Sequence, residues 1–206
     1  MGQEMDDERF FRPEIPNPYP GQFERIEDFR YHTRLVLARE PEALKDRARR
    51  GNSYVVAEPY TVSFRVDGGA RRFLTVPAGM LTDLVSVPWG VRNVVGKVGP
   101  HLEAAIVHDY LFLAWQLLEP HGARRIDFRF ANEVMFAGLR AAEVPWHLRK
   151  AVQAGLRFPF FSWSVYRESD GECFVELDEK FAARRTGRIE RPIPTALDAF
   201  DSTAFA

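Results

Sequence analysis

Apolar and polar positions begin to alternate clearly at Tyr54. Tyr54 to Ala57 reads as a short strand, and Tyr60 to Val66 and Arg72 to Val76 read as the two arms of a β-hairpin. Asp67-Gly68-Gly69 between them supplies the residues a tight turn needs. Further on the period lengthens. In residues 101–118, Ala104, His108, Leu111 and Trp115 share one helical stripe, and Ala105, Asp109 and Phe112 share the next. This helix is apolar on nearly every side, which predicts burial. A second helix is expected from Asp127 through DFRFANEVMFAGLRAAE, and a third from Trp146 through WHLRKAVQAGLRF. The aromatic run FPFFSWSVY that follows is read as a segment covering the core, and CFVEL as a short strand.

The remaining stretches give weaker patterns. Pro13, Pro16, Pro18 and Pro20 block helix and central strand, so residues 1–22 are expected to be an extended arm. HTRLVLARE fits a strand or a helix start, PEALKDRARR a solvated helix, and PWGVRNVVG a short helix begun near Ser86. Residues 179–206 lack periodicity and form a second arm. The expected architecture is α+β: one domain over 23–178, a small antiparallel sheet packed against about three helices, with arms at both ends.

Composition narrows the class. The chain has 206 residues, 46% hydrophobic and 28% charged, as in ordinary globular proteins. A net charge of -1 offers no general attraction for nucleic acid or anionic lipid, so neither is expected as a partner. The single cysteine, Cys173, rules out a disulfide framework and a cysteine-rich zinc site. No run approaches the roughly 20 apolar residues of a membrane span. The opening MGQEMDDERFF is acidic and has no signal-peptide core, which predicts a soluble protein, cytoplasmic when made.

Five polar side chains stand among apolar neighbours between Phe73 and Asp127: Asp83, Ser86, His108, Asp109 and Asp127. Buried polar groups cost a few kcal/mol each unless they are bonded, so these are expected to find one another, backbone groups or a metal. As a reactive group they would suit acid–base work on His108, with an Asp orienting it. As a metal site, His108, Asp109 and Asp83 would hold a divalent ion such as zinc. Asp127 fits either a site or the favourable end of a helix dipole. His121, in the loop EPHGARRI, is expected to be exposed and incidental. A third reading makes the set a hydrogen-bond network that fixes how helices meet strands.

Three motifs in order, VPAGMLTDLVSVP, AAIVHDYLF and RRIDFRFANEVM, resemble the domain-of-unknown-function family 1353 over roughly residues 55–145. The resemblance places the family's polar residues on Asp83, Ser86, His108, Asp109 and Asp127, with Arg124 or Arg125 before the last. It implies a phage or prophage setting and brings no activity. Together with the arms, which would bind neighbouring subunits, it predicts a component made in the cytoplasm and open to incorporation into a phage-like particle, in its tail, neck or baseplate. The alternative is a metal-assisted hydrolase acting on cell-wall or other amide bonds.

Overall fold

The computed structural model describes residues 12–39, 54–82, 99–156, 163–164, 166–167 and 174–177. Apart from Leu177, these lie in a compact unit spanning Met1–Glu176. Strands β1 (Ile26–Tyr31), β4 (Tyr60–Val66) and β5 (Arg71–Val76) form one antiparallel sheet in the order β1-β4-β5. Strands β2 (Leu37–Ala38), β3 (Tyr54–Val56) and β6 (Leu81–Thr82) form a second, in the order β2-β3-β6. Helices α1 (Leu102–Leu113), α2 (Arg125–Ala141) and α3 (Trp146–Leu156) follow. The fold is α+β, as the alternation of periods predicts. Among the described residues no helix is long and apolar enough to cross a membrane.

The expected sheet divides in two because the chain breaks between β3 and β4. Pro59 has no N–H to give to a ladder, and Ala57-Glu58-Pro59 carries the chain from one sheet to the other. The hairpin turns at Asp67 and Gly68, whose φ angles are 52° and 70°. Two positive φ angles make the tight turn whose twist matches the strands, closed by Gly69 N–H donating to the Val66 carbonyl at 2.9 Å. The Asp67 carboxylate accepts the backbone N–H groups of Arg25 and Glu24 at 2.8 and 2.9 Å. These bonds hold it below the usual carboxylate range and fix the chain entering β1.

β1 itself was missed by period counting. Its buried side chains are Ile26 and Phe29, three residues apart, because a bulge between Glu27 and Arg30 inserts an extra residue. Asp28 stands there with a φ of 49°.

Helix α2 packs against β1, α1 and α3. Phe130 on α2 meets Tyr19, Phe23 and Phe64 edge-on, with ring centroids 6.2, 5.4 and 5.8 Å away. Tyr19 falls in the segment expected as an arm. It has no regular secondary structure, yet it is buried and donates its hydroxyl to the Leu111 carbonyl at 2.5 Å. Tyr166, from the aromatic run, is fully buried against Phe112 and Phe128. Phe174 forms a single bridge with Met80 where CFVEL was read as a strand. The helices expected at PEALKDRARR and PWGVRNVVG lie outside the described residues, as does the arm over residues 179–206.

Helices α1 and α2 approach closely at Gly138. A Cβ there would lie 3.0 Å from both the Ala104 Cβ and the Tyr31 hydroxyl. The Gly138 carbonyl accepts that same hydroxyl at 2.9 Å. Replacing Gly138→Val forces the helices apart. It should cost about 1–3 kcal/mol, read as a lower urea midpoint with an unchanged slope. An unchanged midpoint would show that the interface is looser than this geometry.

Candidate functional site

Three of the five singled-out residues are described, and each bonds to a different element. His108 is buried on α1, and its Nε2–H donates to Asn132 Oδ1 on α2 at 2.9 Å. With Nε2 as donor, the neutral ring leaves Nδ1 unprotonated. Phe112 packs one turn on, with ring centroids 4.0 Å apart. Asp109, on the neighbouring stripe, accepts the Thr82 hydroxyl from β6 at 3.0 Å. Asp127, in the first turn of α2, is fully buried. Asp83 and Ser86 lie outside the described residues.

Asp127 turns toward the preceding loop. His121 Nε2–H donates to its Oδ2 at 2.7 Å, and Arg124 Nε stands 3.4 Å from the same oxygen. The expectation for His121 is therefore corrected. Its side chain is 11% exposed and stacks on Tyr19, with centroids 5.4 Å apart and planes 18° from parallel. The loop folds back because Leu118 accepts the His121 N–H at 2.6 Å and the chain then turns through Gly122, whose φ is 67°. The other Asp127 oxygen, Oδ1, is buried with no hydrogen-bond partner among the described residues, as is Trp115 Nε1. Burial pushes the Tyr19 phenol well above its ordinary range, so it stays protonated and serves as a donor.

Sequence reasoning missed His121, Asn132 and Thr82 as partners. Asn132 carried a signal: an amide inside FANEVMF, on a helix whose next residues are apolar. His121 carried none, because a loop's fold-back is not periodic.

The chemistry open to this arrangement is narrow. Among the described residues no three His, Cys, Asp or Glu side chains gather as a metal site would require. A cleft of about 450 Å³ is lined by Ile26, Glu27, Asp28, Phe29, Ala137, Arg140 and Ala141. It lies at the far end of α2 from Asp127. Between Asp127 and Arg140 the helix rises by about 20 Å.

Desolvation pushes His108 down to about 4, against the bond to Asn132, which acts in the opposite direction. Above the ordinary value of about 6.5 the ring is neutral both folded and unfolded, and its contribution is complete. Between about 6.5 and 4 only the unfolded chain binds the proton, so stability falls as pH falls. The parent should lose about 3 kcal/mol more across that window than His108→Gln, which keeps a donor for Asn132. Urea unfolding at pH 7 and at pH 4 checks this, and parallel losses in the two proteins would refute it.

A family model described as a protein of unknown function (DUF1353) matches residues 56–155. This segment runs from the end of β3 to the last turn of α3 and contains His108, Asp109 and Asp127. No curated protein and no solved structure matches the chain.

Proposed function

For a chain that belongs to the DUF1353 family through residues 56–155, we propose a role in assembly rather than in catalysis. The protein acts as a component of a phage- or prophage-type particle, in its tail, neck or baseplate region. Its domain is a stiff body and its terminal segments engage neighbouring subunits.

The observation that carries this reading is the bonding of His108. An imidazole held neutral, buried and bonded to Asn132 ties α1 to α2. Asp109 to Thr82 and Asp127 to His121 are ties of the same kind, from helix to strand and from helix to loop. Tyr19 shows how a proline-rich segment can be held by one aromatic anchor, which is the mode proposed for contacts between subunits.

A second reading remains, the metal-assisted hydrolase acting on amide bonds. Its support is the His121–Asp127 pair, a base and its orienting carboxylate at 2.7 Å, with a carboxylate oxygen left over beside it. Its weakness is the distance from that pair to the cleft. A stoichiometric transition metal in the purified chain, lost in both His121→Ala and Asp127→Asn, would put this reading first.

The assembly reading predicts co-sedimentation of the tagged full-length chain with a large particle in lysate of its native host. Truncations lacking residues 1–11 or 178–206 should lose that co-sedimentation, while His108→Gln should retain it. The N-terminal truncation stops short of Arg12 so that Tyr19 keeps its place in the core. A full-length chain that sediments as a free small protein, or truncated chains that still travel with the particle, would contradict the proposal.

A further inference from the structure

The outward face of the β1-β4-β5 sheet presents a different chemistry from the rest of the chain. The ladder pairs Thr61 with Thr75, Ser63 with Phe73 and Arg65 with Arg71, and Arg30 on β1 pairs with Ser63. Their side chains share the face opposite the core residues Val62, Phe64 and Leu74. Phe73 is 66% exposed, an unusual position for a large apolar ring in a sheet. Its neighbour is the His32 ring, with centroids 5.3 Å apart.

Beside the rings stand three guanidinium groups around one carboxylate. Arg30 Nε is 3.0 Å and Arg65 Nε 3.5 Å from Asp28, and Arg71 Nη2 also pairs with it. Arg71 Nη1 further donates to the Asp28 carbonyl at 3.0 Å and to Ser63 Oγ at 2.9 Å. The bulge and the positive φ of Asp28 bring that carboxylate to the arginines and hold their planes in place. One carboxylate cannot neutralise three cations, so this group keeps a positive balance although the whole chain carries -1. The net charge argued against nucleic acid as a partner of the chain as a whole. It averages over surfaces that differ.

We propose that this face binds single-stranded nucleic acid. Phe73 supplies a surface on which an unpaired base stacks. Arg30 and Arg65, 62% and 48% exposed along their side chains, meet the phosphates. The Thr61 and Thr75 hydroxyls, 2.9 Å apart, offer sequence-tolerant hydrogen bonds at the edge. An exposed ring on a sheet suits the face of a splayed, unpaired base, so the ligand proposed is a single strand and a duplex is the competitor in the test.

Fluorescence anisotropy of the full-length chain with labelled oligothymidylate and oligouridylate of about 16 nucleotides tests the proposal. The parent should bind at about 50 mM salt and weaken steeply toward about 200 mM. Phe73→Ala should weaken binding about tenfold with the salt slope unchanged. Arg65→Ala should lower that slope by about one. Both residues are exposed, and circular dichroism verifies that the variants are folded. Any of three results overturns the proposal: no binding at low salt, a Phe73→Ala variant that binds like the parent, or equal binding of a duplex or an acidic peptide.

Discussion

Helix α1 has almost no polar side to offer to water, and most of the structure follows from the need to cover it. Ile106, Val107, Tyr110 and Leu111 are buried together with Ala104 and Ala105. No single partner can surround a helix, so β5, α2 and the loop after α1 share the task. The cover includes Tyr19, whose phenol satisfies a carbonyl near the helix C-terminus. Once α1 is enclosed, His108 cannot remain solvated and Asp109 is partly covered. His108 must bond to whatever faces it, and Asn132 does. Asp109 sits where Thr82 can reach it. The polar ties are thus consequences of enclosure, and they also set the register of enclosure, because a misplaced helix would leave each of them unpaired.

The family segment does not complete this core by itself. Residues 56–155 contain β4 and β5 but not β1, whose Ile26 and Phe29 close one side of the sheet. Tyr19 and Phe23, also outside the segment, complete the ring cluster about Phe130. Arg129 fastens that addition, lying over the Phe23 ring with its guanidinium carbon 4.5 Å from the centroid while donating to the Phe23 carbonyl. The N-terminal segment therefore belongs energetically to the domain from Tyr19 onward.

What could be read from the sequence was what repeats. The hairpin, the enclosed helix and the amphipathic α2 and α3 all came from period counting, since burial imposes a period of 2 or 3.6 on every residue of an element. β1 escaped because one inserted residue at Asp28 shifts its inward positions from an interval of two to three. The division into two sheets was carried by a single proline, too local to alter any pattern. At the candidate site, burial of His108 was legible because its neighbours are apolar in every direction. Its partner was only half legible: Asn132 stands out as an amide among apolar residues of α2, but nothing near His108 in the sequence shows that the two meet. His121 looked like loop decoration for the same reason: only the fold-back through Gly122 brings it to Asp127. The motifs pointed to the family, and they also contain Thr82 and Asn132, the partners of Asp109 and His108, whereas His121 lies outside all three.

The account rests on His108 being a neutral, buried link between two helices. Its imidazole ¹⁵N shifts, recorded across pH 5 to 8 with and without added zinc, test this directly. A fixed pattern is predicted, with Nε2 protonated, Nδ1 bare and no response to either pH or metal. A ring that titrates near its ordinary value of about 6.5, or whose nitrogens shift on adding zinc, would contradict the account and mark His108 as a working group.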